Sequence, residues 1–315
     1  MTSKTKPDSG SGPVAEVRLP GSTSNLGPGF DSFGLALKLY LTIKATARPD
    51  SAEICQVRTT GAKENAALPK NATNLIYRAM SFVAKHEQVT LPPVELDVHN
   101  DIPLASGLGS SAAAIVGGIK LITLLTDHKL SDQAIQSYAT EFEGHPDNIA
   151  ATLFGGFVTS CTNAAAEVHT LKFDWPAHIK VVVVSPESQL PTHVARAAIP
   201  QKFSRADAVY NLQRSALFTA AIAQGRYDLL WEAMKDRLHQ PYRESLVPGL
   251  SEALALPKMT GLLGIALSGA GPSILGLVED QADEIGKRIQ DCFKKHKIRA
   301  AVRILEVENN GCVSL

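Results

Sequence analysis

From Leu35 to Ala47 the chain alternates without a break. The odd positions carry Leu35, Leu37, Leu39, Leu41, Ile43, Ala45 and Ala47, and the even ones carry Ala36, Lys38, Tyr40, Thr42, Lys44 and Thr46. A period of two over that length sets one face of a β-strand against a core and leaves the other wet, which a helix of 3.6-residue period does not do. A chain built round such a strand needs a sheet with one covered face. Val14 to Leu19 alternates more weakly and is expected to pair with it. Helix-period signals follow. Asn74 to Lys85 puts Leu75, Ile76, Ala79, Phe82 and Val83 on one face, with Thr73 or Asn71 as cap. Val94 to His99 reads as a strand, Ser110 to Leu125 as a buried small-residue helix, and Ser131 to Glu143 as a capped helix stopped by Gly144.

After about residue 165 the pattern changes. A core strand at Val181–Val184 is followed by helices at about 206–224 and 226–239. Strands Leu262–Leu267 and Ile274–Val278, a helix over 281–295 and a strand Ala300–Val307 complete the chain. Taking the two middle helices as one layer, the order is β-α-β-β-α-β, the split βαβ arrangement. The fold class is therefore α+β in two domains: a leader over 1–13, a first domain over 14–165 and a second over 166–315. The length of 315 residues agrees, at ~150 residues per domain.

Charge and composition narrow the partners. Thirty-one basic residues balance thirty-one acidic ones, so the positive excess that phosphate-backbone binding needs is missing and no nucleic acid is expected. No apolar stretch reaches the ~18 residues of a membrane span, and the leader lacks the apolar run of a secretory signal. Cys55, Cys161, Cys292 and Cys312 stand far apart with no C-x-x-C, giving neither a zinc site nor a disulfide framework. The expectation is a reduced, cytoplasmic protein whose partners are small molecules.

The segment Pro103-Leu104-Ala105-Ser106-Gly107-Leu108-Gly109-Ser110-Ser111-Ala112-Ala113 carries the chemistry. Two glycines let the backbone approach an anion, and the helix behind them aims unpaired N–H groups at it. The two serines add hydroxyls for a phosphate oxygen or a magnesium ion. A plain tight turn before a buried helix is the competing reading. Gly107-x-Gly109-x-x-Ala112 also matches a dinucleotide fingerprint, but that motif needs a second parallel strand ending in an acid ~20 residues on. Asp127 and Asp132 lie instead in a loop leading to another helix. No G-x-x-x-x-G-K-[ST], G-x-S-x-G or H-E-x-x-H occurs.

What remains resembles the ATP-phosphate loop of the GHMP kinases. Two further segments agree in order: Arg18 to Asp31, RLPGSTSNLGPGFD, looks like that family's first motif, and Leu267 to Ser273, LSGAGPS, like its third. Within the family the likeness is strongest to the homoserine-kinase branch, through SNLGPGFDSFGLAL, EGHPDN at 143–148, LFGG at 153–156, THVAR at 192–196, and QPYR at 240–243 ahead of Val247-Pro-Gly249. Leu19, where the family often has Ala, and the longer leader are the departures. The resemblance implies a two-domain GHMP kinase-like fold, with an N-terminal mixed α/β nucleotide-binding domain and a C-terminal ferredoxin-like domain. It also implies ATP and Mg2+, L-homoserine as acceptor, and phosphorylation of its side-chain hydroxyl for threonine synthesis. The assembly is open, with a homodimer as the candidate.

The resemblance also implies the roles of individual residues, one group being needed for each of the substrate's ammonium, carboxylate and hydroxyl. Asp31, in a loop just before the long strand, faces the ammonium, and Asn25 and Thr192 belong to the substrate pocket. Glu143 and Glu141 both sit in the last turn of a helix, where the dipole disfavours anions by ~0.3–1 kcal/mol each. A nearby cation would remove that penalty. Glu143 is the chosen magnesium ligand beside Ser111, with Glu141 as the fallback. His145, Asp147 and Asn148 are implied substrate contacts, and whether Asp147 also takes the hydroxyl proton is open. Arg196 and Arg243 are the candidate carboxylate clamp that the resemblance implies, and the planar guanidinium fork suits that role. Gly269, Gly271 and Ser273 shape the phosphate-binding region. The adenine pocket is not legible, Asn74 being a weak candidate. Ser111, Glu143, Asp147, Asn148 and Arg243 make up the catalytic set.

Overall fold

A computed structural model describes residues 12–315. The leader expected over 1–13 lies outside the described residues except for Gly12 and Pro13, which bond to Ala47. In chain order the elements are β1 (Val14–Asn25), β2 (Gly29–Ala47), β3 (Cys55–Gly61), α1 (Leu75–His86), β4 (Val94–Asn100), α2 (Ser110–Leu125), α3 (Asp132–Glu143), α4 (Asp147–Phe154), β5 (Phe157–Thr162) and β6 (Val168–Phe173). They continue with β7 (Lys180–Pro186), α5 (Thr192–Ala197), α6 (Arg205–Gln224), α7 (Leu230–Ala233), α8 (Gln240–Arg243), α9 (Leu250–Leu254), β8 (Leu262–Leu267), β9 (Ile274–Val278), α10 (Ala282–Lys295), β10 (Ala300–Leu305) and β11 (Val313–Ser314). No helix among the described residues is long and apolar enough to cross a membrane.

The alternating strand is β2, and it organises the first sheet. Its final half pairs with β4 on one edge while its first half pairs with β5, and β1 lies antiparallel along the other edge. From Leu41 onward the buried and open positions alternate as the sequence requires, whereas Leu39 and Tyr40, where the pairing with β1 shifts register, are both half-buried. Ala36, on the face expected to be wet, is fully buried because Ala150 and Ala151 of α4 and Val158 of β5 cover it. The expected strand at Val14–Leu19 runs on to Asn25, so the first motif is a strand end and a tight turn rather than a loop. Asp31 accordingly lies within β2.

The bounds of α2 and α3 are those expected, because their signals are local. Ser131 accepts from the Ala134 N–H, and Gly144 takes the left-handed conformation that ends α3. The cap of α1 is neither Thr73 nor Asn71 but Asn74, whose Oδ1 accepts from the Ile76 N–H at 3.0 Å. Asn71 turns its oxygen to Thr73 instead.

The second sheet has the order β10-β7-β9-β8, every neighbour antiparallel, with α6 and α10 in the crossovers. This is the split βαβ layer. The helix expected over 226–239 is broken: a 3-10 turn over Tyr227–Leu229 and the short α7 form there. The Asp236 carboxylate accepts from the N–H groups of Leu238, His239 and Gln240, and so opens a new turn leading into α8. The sheets also divide later than residue 165, since β6 stays in the first sheet to Phe173. β11 returns at the end of the chain to pair with β1.

Candidate active site

The two layers meet at a cavity of about 270 Å³. The loop before α2 forms one wall, the N-terminus of α4 another, and α5, α8 and the β8–β9 turn close it. The segment 103–111 runs along the wall, but not all of it faces inward. Leu104 turns to a neighbouring cavity, and Ala112 and Ala113 are buried inside α2. Gly109 has φ +71, and a Cβ there would lie 2.1 Å from Ser22 Oγ and 3.0 Å from the Ser22 backbone. This glycine therefore keeps the loop seated on β1, as well as leaving the helix end bare.

Ser111, at the start of α2, donates to Glu143 Oε1 at the end of α3. The two helix ends thus point an oxygen pair at the glycine loop. Glu141, the fallback, lies outside: its carboxylate is on the surface, 3.9 Å from His86 Nε2.

The polar cluster after Glu143 is ordered by a helix the sequence reading missed. Pro146 precedes α4, so Asp147 and Asn148 sit in its first turn. Gly34 of β2 allows this, since a Cβ there would come within 2.2 Å of the Asp147 carbonyl. Asp147 is 1% exposed, and its Oδ1 accepts from His145 Nδ1 at 2.6 Å and from the Asn148 N–H at 2.7 Å. Burial opposes the charge on Asp147, but the His145 contact and the Asn148 N–H outweigh it and hold the carboxyl below its usual range. Burial likewise opposes charge on His145, and the bond and charge of Asp147 override it, raising the imidazole above its usual value. Asn148 is held by Ser22 and Ser24: Ser22 Oγ donates to its Oδ1 at 3.0 Å, and its Nδ2 donates to Ser24 Oγ at 2.9 Å.

Asp31 and Arg196 face each other across the cavity mouth. Nη1 and Nη2 of Arg196 reach Oδ2 and Oδ1 of Asp31 at 2.7 and 2.8 Å, a fork on a carboxylate. The group expected to meet an ammonium and one expected to meet a carboxylate thus satisfy each other. Arg243 is 2% exposed, and much of its fork is already engaged: Nε donates to the Ala195 carbonyl at 3.1 Å and Nη1 to the Gly269 carbonyl at 3.0 Å. Burial and the nearby Arg196 push it down to about 10, which leaves it charged at neutral pH. Asn25 lines the cavity with Nδ2 bonded to the Gly269 carbonyl, and Thr192 lines it from the start of α5. Of the third motif, Gly269 lines the cavity. Gly271 and Ser273 lie behind it, Ser273 donating its N–H to the Ser106 carbonyl at 3.3 Å.

Sequence reasoning passed over the buried serines that hold these parts together. Thr23 Oγ1 lies 2.8 Å from Ser268 Oγ, which donates to the Gly107 carbonyl at 2.6 Å. The signal was present, three hydroxyl residues in a row inside the first motif, but it reads as an ordinary turn. Phe30 also lines the cavity. A second cavity, of about 410 Å³, shares Ala105, Ser110 and Ser111 with the first. Its wall is mostly apolar, with Leu68, Pro69, Leu75, Ile76, Val98 and Leu104. Asn74 lines it, but its amide is engaged, capping α1 and donating to the Pro69 carbonyl at 2.8 Å.

Two family models match the chain: GHMP kinases N terminal domain over residues 74–156 and GHMP kinases C terminal over residues 218–295. A homoserine kinase of Deinococcus radiodurans is 46% identical over 299 residues, covering 94% of this chain and 95% of its own. One of Solibacter usitatus is 41% identical over 278 residues, covering 88% and 90%. Among solved structures, a homoserine kinase from Cytophaga hutchinsonii superposes with a TM-score of 0.82 at 25% identity, over 100% of both chains.

Proposed function

The chain belongs to the homoserine kinases of the GHMP kinase family, and on that premise we propose how its two cavities divide the work. The reaction is transfer of the γ-phosphoryl group of ATP to the side-chain hydroxyl of L-homoserine, giving O-phospho-L-homoserine. The observation that carries the assignment of parts is the shared wall. Ser110 and Ser111 border both cavities, one polar with charges of both signs and one mainly apolar. The apolar cavity receives the nucleoside of ATP, the N-terminus of α2 receives its phosphates, and the polar cavity receives homoserine.

Asp31 meets the ammonium and Arg196 and Arg243 the carboxylate, with Thr192 and Asn25 completing the pocket. Homoserine supplies one charge of each sign, so it can replace both halves of the Asp31–Arg196 pair. The hydroxyl then points towards the glycine loop, next to Asp147. A carboxylate held below its usual range is a weak base, so Asp147 orients the hydroxyl with His145 and Asn148 rather than carrying its proton away.

The donor set at Ser111 and Glu143 suits Mg2+: a hydroxyl and a carboxylate in direct contact, both hard oxygens, beside a helix end that gathers phosphate. These two residues would hold it, and bound there it would offset charge on the phosphates. A coupled assay for ADP release, run with L-homoserine, L-serine, L-threonine and mevalonate, tests the reading. Turnover is expected with L-homoserine far above the rest, and equal or faster turnover with mevalonate would overturn it.

A further inference from the structure

We propose that His239 is a positioning residue for substrate recognition: as a neutral imidazole protonated on Nε2, it holds Arg243 in the orientation that meets the homoserine carboxylate. The inference rests on the assignment of Arg243 given above. His239 is 0% exposed and borders no solvent. Its Nε2 lies 2.7 Å from the Gly27 carbonyl, which can only accept, so Nε2 carries the hydrogen. Nδ1 is then an acceptor, and the group 3.1 Å from it is Nη1 of Arg243, which can only donate. The partners leave one tautomer.

The surroundings keep it that way. Burial, reinforced by the charge of Arg243, lowers the imidazole below its usual value against the pull of Asp236. Asp236 Oδ2 is 3.7 Å from Nε2, but that carboxylate is engaged by the N–H groups of Leu238, His239 and Gln240 and by Asn211 Nδ2. A protonated ring would set an N–H against the guanidinium and break the contact.

The ring also supports the cavity wall. It stacks on Phe30 at 5.4 Å with 28° between planes, and Phe30 in turn lies 5.4 Å from the Arg196 guanidinium and 5.6 Å from that of Arg243. Gly27 belongs to the turn between Asn25 and Asp31. One imidazole therefore ties the turn that serves the ammonium to the arginine that serves the carboxylate. Nη2 of Arg243 is the guanidinium nitrogen left without a protein partner among the described residues, and the residue lines the cavity.

The test uses two variants of the full chain. In His239→Gln the amide reaches the level of Nε2 and can still donate to Gly27, but nothing accepts from Arg243. In His239→Asn an oxygen sits near the level of Nδ1 and can accept from Arg243. Loss of a hydrogen bond to a charged group corresponds to roughly ten- to a hundred-fold in affinity. The KM for homoserine should therefore rise by roughly tenfold or more in His239→Gln, with the KM for ATP unchanged and kcat much less affected, and His239→Asn should recover most of it. Calorimetric titration of homoserine into the folded variants gives the same comparison without turnover. An unchanged homoserine KM in an active glutamine variant would overturn the proposal, as would equal losses for both substrates in both variants. Failure of the wild type to phosphorylate homoserine would instead count against the functional assignment itself.

Discussion

At the scale of single residues, the site is a set of opposed charges that already have partners. Arg196 grips Asp31 with both terminal nitrogens, so a ligand carrying only one charge must break that pair and leave one half unmatched. Glu143 and Glu141 separate cleanly, because two positions on a helix point roughly 200° apart. Glu143→Gln should reduce turnover by about a hundredfold or more while homoserine affinity changes little. Glu141→Gln should behave as wild type, and steady-state kinetics showing the reverse would transfer the role. The His145–Asp147 pair has a pH window of its own. Asp147 sits below its usual value, so its contribution to stability is present above the unfolded carboxyl value and is lost as pH falls through the folded one. His145 sits above its usual value, so its contribution is complete at low pH and fades as pH rises through the folded value. The ion pair therefore spans the range between the two. An NMR titration, with the signal assigned by a His145→Gln variant, should place the imidazole above 6.5, and a midpoint below that contradicts the pairing.

At the scale of elements, local signals gave α2, α3, α6, α10 and the strands β8 and β9, while packing decided α4 and the break after α7. Ser131 and Gly144 mark α3 because capping and left-handed termination involve only neighbours in sequence. α4 has Gly155 at its end but no side-chain cap at its start. Its cap is Pro146, its eight residues hold a mostly apolar run, and what makes it a helix is its seat on Gly34 and Ala36 of β2. The same holds for the site. Asp31, Glu143, Asp147 and Arg196 were legible through motif strings. The serines behind them and His239 were not, because each bonds to residues well over a hundred positions away. The glycine loop shows how tertiary contact changes an expectation. Gly109→Ala should weaken ATP binding, but it should also destabilise the fold by about 1–3 kcal/mol, through the left-handed backbone and the clash with Ser22. Adding Ser22→Gly should recover part of the lost melting temperature. A single variant that melts like wild type would show that the loop is not seated on β1 as described.

At the scale of the whole molecule, two sheets with separate helices supply opposite sides of one cavity. The first provides the glycine loop, Glu143 and Asp147. The second provides Arg196, Arg243 and Gly269, and the hydroxyl contacts among Thr23, Ser268 and Gly107 stitch the two together. On the proposed reading, this cavity meets both charges of homoserine at once. Comparing L-homoserine with its decarboxylated analogue in the wild type and in Arg196→Lys tests that directly. Lysine keeps the charge and loses the fork, so kcat/KM for homoserine should fall roughly ten- to a hundred-fold. The analogue, poor in the wild type, should show little further loss. A fall by the same factor for both compounds would contradict recognition of the carboxylate by Arg196, because the arginine would then be acting on the fold.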